Sequence, residues 1–188
     1  TSPGVSIRPL HGFTTGVFEV RLEAVQVPDS NIIGIGSDDG WAILNRAIEK
    51  AIPVLCAYKL GGCDKVLEMS LAYSNSRIQF GGPIGRFQRV QDHIIEMLNQ
   101  RDAVRWTTYE TLWKLDSGKT ASTNVHMAKA VASEGYYVVC NEAHEVHAGV
   151  GVMREYGLTL HTKMSRALYH YLGDPRYHKQ RLAETLEL

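Results

Sequence analysis

Two histidines flank a carboxylate in His144-Glu145-Val146-His147, and metal binding is the first chemistry such a group suggests. At i and i+3 the histidines share a helical face. A zincin site, however, needs H-E-x-x-H, one residue longer. A di-iron bundle needs Glu-x-x-His, and three residues before His144 stands Asn141. No metal is therefore expected. Cys56, Cys63 and Cys140 are odd in number, form no C-x-x-C and fall inside apolar helical patterns. They read as buried thiols of a reducing compartment. Cys56 and Cys63 stand two helical turns apart, too far to bridge within one straight helix. No G-x-G-x-x-G follows a strand, so a Rossmann nucleotide site is not indicated. His126, His161, His170 and His178 are scattered and read as surface or interface residues. Tyr136-Tyr137, Trp106 and Trp113 read as core or subunit-interface aromatics.

The elements that carry these residues are mostly helical. Residues 5–28 read as strands, with Phe18, Val20 and Leu22 alternating against Glu19 and Arg21 and a turn at Pro28-Asp29-Ser30-Asn31. Two or three strands do not make an independent sheet, so this piece is the edge of a larger β domain or a partner-dependent extension. Ser37-Asp38-Asp39-Gly40 is a helix start. Helical periodicity then runs from Trp41 to about Tyr73, with a kink expected at Pro53. A second helix runs from about Ile84 to Leu115, its face made by Phe87, Val90, Ile94 and Met97/Leu98. A third spans about Ser122 to Ala148, with Val125, Ala128, Val131 and Ala132 on one face. Gly149-Val150-Gly151 interrupts it. A fourth runs from near Leu158 toward Leu172, Gly173-Asp174-Pro175 stops it, and a short tail helix follows. The fold class is mainly α: an antiparallel four-helix bundle over residues 37–188, preceded over residues 1–36 by two or three strands of an incomplete β domain.

Composition narrows the function classes. The chain has 188 residues, with 20 Lys plus Arg against 20 Asp plus Glu, so no net field draws nucleic acid or an anionic membrane. No apolar run approaches the roughly 18 residues of a membrane helix. The first residues show no basic region followed by an apolar stretch, which argues against a retained signal peptide.

Three segments in register carry a resemblance. Arg77-Ile78-Gln79-Phe80-Gly81-Gly82-Pro83-Ile84-Gly85-Arg86-Phe87-Gln88-Arg89-Val90-Gln91 resembles the "R-x-Q-F-G-x-P-I-x-x-F-Q-x-V-Q" signature of acyl-CoA dehydrogenases. Leu115-Asp116-Ser117-Gly118, Ala128-Lys129 and Ala132-Ser133-Glu134 are similar to that family's "D-x-G … A-K … A-S-E" helix. His147-Ala148-Gly149-Val150-Gly151-Val152-Met153-Arg154-Glu155-Tyr156 resembles its "G-G-x-G-x-x-x-E-Y" loop, and Val25-Gln26-Val27-Pro28 its "V-x-V-P" exit from the middle β domain. The resemblance implies an oxidoreductase that uses FAD to desaturate an acyl-CoA substrate at its α and β carbons. An electron-transferring flavoprotein is then the implied oxidant, and the assembly a homo-oligomer (dimer or tetramer) or a heteromer. It further implies a cytoplasmic location in a bacterium or the mitochondrial matrix in a eukaryote.

The same resemblance implies cofactor contacts. Arg77 occupies the pyrophosphate position toward a neighbour's FAD, where a planar guanidinium suits phosphate oxygens. Phe80 packs against the cofactor and Gln88 is a polar contact. Glu145 opens the loop in which Gly149 lets backbone approach the adenosine half. Asp174 follows the catalytic turn. Taken alone, Arg77 reads as a solvated helix-end charge and Gly149-Val150-Gly151 as a plain interhelix turn. Two departures stand out: Glu145 replaces a usual Gln, and Ala148 replaces the first Gly.

The catalytic base departs further. The family's usual Glu, in "I-Y-E-G-T", aligns with Leu172 in Tyr171-Leu172-Gly173-Asp174-Pro175, and leucine accepts no proton. The minority position on the first helix falls on Ala51. Glu49 lies two residues earlier and would serve if Pro53 shifted the helical register. Otherwise the base comes from outside the chain, or the chain is a catalytically silent, FAD-scaffolding subunit of a heteromeric dehydrogenase.

Overall fold

The computed structural model describes residues 2–12, 16–36 and 39–187. β1 (Val5–Pro9) and β2 (Phe18–Leu22) form an antiparallel ribbon with Val5 opposite Leu22 and Pro9 opposite Phe18. The ribbon buries none of its residues, and Phe18, Val20 and Leu22 each expose more than half their surface. Such a ribbon gains little from the hydrophobic effect by itself.

The helices are α1 (Gly40–Ser76), α2 (Gln88–Asp116), α3 (Ser122–His147), α4 (Leu158–Tyr169) and α5 (Pro175–Thr185). Of the anticipated first cap, Ser37 and Asp38 fall outside the described residues. Asp39 takes the N-cap position, without a side-chain capping bond. Between α1 and α2 a minimal hairpin pairs β3 (Ile78–Gln79) with β4 (Gly82–Pro83).

Contacts between helices fix their directions. Along α1 and α3, Glu49 meets Ser122, Lys59 meets Ser133 and Tyr73 stacks on His147, so these two helices run parallel. Thr111 of α2 bonds the Asn124 carbonyl while His93 bonds Glu142, so α2 is antiparallel to α3. His144 meets Thr162 and Tyr137 meets Tyr169, so α4 is antiparallel as well. The result is the expected antiparallel bundle, up-down-up-down; α3 lies at its centre and α5 is laid against α3.

The core follows the apolar period. α1 buries Ile52, Cys56, Leu60, Cys63, Val66 and Leu67, and α3 buries Val125, Ala128, Ala132, Tyr136, Val139 and Ala143. Each large aliphatic so buried is worth roughly 1.5–3 kcal/mol. Close approach is set by glycine. A Cβ on Gly62 would lie 2.5 Å from the Tyr136 ring, and one on Gly135 2.6 Å from Val104 Cγ2.

α1 runs as one helix through Pro53, as expected, with the Glu49 carbonyl denied its N–H partner. Two local outcomes differ from the sequence reading. Residues Ile84–Arg86 form a separate 3₁₀ turn, because Phe87 is extended, and α2 starts at Gln88. α4 stops at Tyr169 because Leu172 and Gly173 adopt left-handed φ values of 57° and 95°.

Candidate functional site

The residues singled out by sequence gather at two ends of the bundle. At one end, α1 delivers Arg77 as its C-cap residue, and the hairpin turns through Phe80 and Gly81, both at positive φ. This is the backbone of a type I′ turn, which glycine accepts and a phenylalanine resists. Phe80 nevertheless stands there 85% exposed, touching the Phe87 ring edge-on at 6.0 Å. Arg86 fastens the turn by donating to the Phe80 carbonyl at 2.5 Å. The Arg77 backbone is tied down through Tyr73 and Ile84, while its side chain faces solvent without an ion pair among the described residues. Gln88, first in α2, is exposed too.

The loop after α3 lies at this same end, held by the Tyr73–His147 stack at 4.7 Å. Glu145 and Gly149 are exposed, and a Cβ on Gly149 would meet nothing within 4 Å. Ala148, where the motif has glycine, sits at φ 49° and ψ −131°, a conformation costly for any residue with a Cβ. His147 donates through Nδ1 to the Ala143 carbonyl, which leaves Nε2 to accept from the Tyr156 hydroxyl at 3.0 Å. His144 bonds Thr162. Both histidines are thus committed to holding the helix end.

At the other end, Leu172 borders two depressions. One is a shallow apolar groove with Ala51, Val54, Tyr58, Leu168 and Tyr171. The other is a cleft of about 400 Å³ that includes Asn45, Glu49, Ile52, His126 and His178. α1 keeps its register, so Glu49 stays on a different face from Ala51, and the shift that would superpose them does not occur. Leu172 is the seam between the two faces. Glu49 is the one carboxylate among the residues lining either depression. It is about one-third exposed, accepts from Ser122 Oγ at 3.2 Å and lies 4.0 Å from His126 Nε2. Asp174 serves the fold directly, since it caps α5 by accepting the Tyr177 amide at 2.7 Å ahead of Pro175.

The turn that carries Leu172 is anchored from inside. A Cβ on Gly173 would fall 2.7 Å from both His178 and Tyr177, so glycine is required there. His178 Nε2 donates to the Leu172 carbonyl at 2.8 Å, and Lys129 Nζ donates to the Gly173 carbonyl at 2.6 Å. Lys129 also reaches Ser133 Oγ at 3.0 Å, which Lys59 Nζ approaches at 2.7 Å. Both lysines are fully buried. Burial lowers the pKa of each below the ordinary lysine value, and the neighbouring Lys129 lowers that of Lys59 further, to about 7.

The sequence reading missed this interior. His126 and His178, expected at a surface or interface, are 3% and 0% exposed because α5 folds back over α3. Burial holds both imidazoles below their usual pKa, His178 at about 4. Trp106 and Trp113, read as core or subunit-interface aromatics, are largely exposed and take no part in the core. The one legible hint was the Ala-Lys and Ala-Ser spacing on α3, which puts Lys129 and Ser133 on a common face.

The chain as a whole is similar to known proteins. Residues 38–187 match the family described as "Acyl-CoA dehydrogenase, C-terminal domain". A Bacillus subtilis protein named "Probable acyl-CoA dehydrogenase YngJ" is 32% identical over 140 residues, 74% of this chain and 37% of that protein. The structure of PigA with FAD and proline superimposes with a TM-score of 0.93 at 28% identity, covering all of this chain and 50% of that one. Butyryl-CoA dehydrogenase from Megasphaera elsdenii gives 0.91 at 25% identity, again over the whole chain and 50% of its counterpart. The chain thus spans less than half the length of this curated relative and half that of the solved chains.

Proposed function

The chain belongs to the acyl-CoA dehydrogenase family, and from that premise we propose that it forms the C-terminal part of an FAD-dependent enzyme that desaturates an acyl-CoA thioester. Residues 1–36 are then the end of the middle β domain and 37–188 the bundle. The unburied apolar faces of the β1–β2 ribbon support this division, since the rest of a sheet would cover them.

The observation that carries the reading is the separation of the two ends. From Glu49 to Arg77 the continuous α1 advances roughly 40 Å at ~1.5 Å per residue, farther than one extended dinucleotide reaches. Residues at both ends therefore serve two different cofactors, one largely its own and one a neighbour's, which implies a homo-oligomer. The residues fit such a group. Arg77 offers a free guanidinium for the pyrophosphate, strained Phe80 offers an uncovered ring, and Gln88, Glu145 and Gly149 leave an open approach for the adenosine half. Asp174 lies beside the other cofactor and shapes the turn there. FAD, when bound, supplies the acceptor for the β-hydrogen as hydride, and an electron-transferring flavoprotein is the oxidant the family reading implies.

The chain's own part in the chemistry is to take the α-proton. Glu49 is the base in this reading even without a register shift in α1, because it is the one carboxylate among the described residues lining either depression. It reaches the Leu172 seam from the neighbouring cleft, while Leu172, Tyr171 and Ala51 line the apolar groove that would take the acyl chain. Glu49→Gln in the full-length protein is expected to lower kcat by about 10²–10⁴-fold with FAD content unchanged. Full activity in that variant removes Glu49 from the mechanism. Absence of flavin bleaching by any acyl-CoA, in protein that carries FAD, would instead indicate a catalytically silent scaffold.

A further inference from the structure

The cleft beside Leu172 holds a buried chain of polar groups whose proton positions follow from a single fixed acceptor. The Leu172 carbonyl can only accept, so His178 must carry its proton on Nε2, 2.8 Å away. A neutral His178 then has a bare Nδ1. His126 Nδ1 lies 3.0 Å from that atom and must be the donor. This leaves His126 Nε2 as a lone pair. That atom is buried, finds no hydrogen-bond partner among the described residues, and lies 4.0 Å from Glu49 Oε1. The neutral state of His178 is secured by burial, which drops its pKa to about 4, with Lys129 and Lys59 opposing a further charge. Around His126 stand Glu49 on α1 and His178, Arg181 and Glu184 on α5. Burial outweighs the two carboxylates and lowers its pKa as well.

An ionised carboxylate gains nothing from a lone pair facing it, whereas a protonated one does, because its O–H then has an acceptor. We propose that His126 is a positioning residue for Glu49: its imidazole, locked in the Nδ1–H tautomer through His178 by the Leu172 carbonyl, accepts a hydrogen bond from the Glu49 carboxyl once that group has taken a proton. The inference rests on Glu49 as the base. It also gives the turn around Leu172 a second role. The leucine side chain lines the acyl groove, and its carbonyl sets the tautomer order behind the base. A closing rotation of the Glu49 side chain replaces the Ser122 contact with His126 on protonation. The proton moves from substrate carbon to a carboxylate oxygen, and no other bond changes in this step.

Two measurements on the full-length, FAD-loaded protein test this. The side-chain nitrogen-15 spectrum should show His126 with Nδ1 protonated and Nε2 bare, and the reverse for His178. A protonated Nε2 on His126 at neutral pH overturns the proposal whatever the kinetics. In kinetics, His126→Asn, whose shorter amide can replace the Nδ1 donor but leaves no acceptor at the Nε2 position, is expected to lower kcat about tenfold, the value of one hydrogen bond, with KM and flavin content unchanged. The loss should vanish in a Glu49→Gln background, since His126 acts only through Glu49. A tenfold loss that persists there marks a merely structural role and refutes the inference. His126→Gln separates this from misfolding: its amide oxygen can stand where Nε2 stood and accept, so it should recover most of the lost kcat, with both variants melting within a few degrees of the parent. Full activity of Glu49→Gln alone refutes the base assignment, and the tautomer order is then judged by the spectrum.

Discussion

Replacing Lys59 by methionine should make the protein more stable. Lys59 sits in the centre of the bundle with no exposed surface, and its partners there are Ser133 Oγ and a second buried lysine, not a carboxylate. Its pKa falls from 10.5 to about 7, chiefly through burial and then through Lys129. That drop corresponds to roughly 5 kcal/mol held against the charged form. Methionine keeps the length and apolar stem, removes the charge and loses one hydrogen bond worth about 1 kcal/mol. Ser133 retains its bond from Lys129. A net gain of roughly 2–4 kcal/mol follows, which for a domain of this size raises Tm by on the order of 5–10 °C. The pH dependence has a definite sign. Between about 7, the folded value, and 10.5, the unfolded one, the unfolded chain binds more protons. Native stability should therefore rise with pH across that window, and the methionine variant should rise less steeply. Thermal and urea unfolding at pH 7 and pH 9 measure both effects. A variant less stable than the parent at pH 7, or one with the same pH slope, would refute this reasoning and show that the ammonium is stabilised by something other than the groups named.

Arg77→Met should weaken FAD binding by about ten- to a hundredfold, the worth of a charge-assisted contact, while leaving the melting temperature of the apoprotein unchanged because the side chain is exposed; flavin fluorescence titration measures it. Asp174→Ala should cost about 1 kcal/mol through loss of the α5 cap, whereas Asp174→Asn should recover most of it; an alanine variant as stable as the parent would leave Asp174 with only a ligand-facing role. Gly62→Ala should cost roughly 1–3 kcal/mol, since the new methyl meets the Tyr136 ring, and pairing it with Tyr136→Phe should recover little because the ring itself obstructs; calorimetry decides.

Much of the architecture is legible from local chemistry. Apolar residues three and four apart along α1 and α3 announce one buried face on each helix, and Gly81-Gly82, Gly149-Val150-Gly151 and Gly173-Asp174-Pro175 mark where helices stop, because glycine and proline change the backbone within a few residues. Arg77 and Phe80 are conspicuous for the same reason, since their motif is contiguous. What only the tertiary structure decides is the fate of polar side chains at long sequence separation. His126 and His178 lie 52 residues apart and look like surface or interface residues until α5 packs on α3 and removes water from both. Lys59 is fully buried against Ser133, 74 residues on. Glu49 and Ala51 are two residues apart and face different depressions, because an uninterrupted helix turns about 100° per residue. Local pattern sets which faces are apolar; whether a titratable group meets water, a carbonyl or another imidazole depends on which helix arrives opposite it, and that is a property of the assembled bundle.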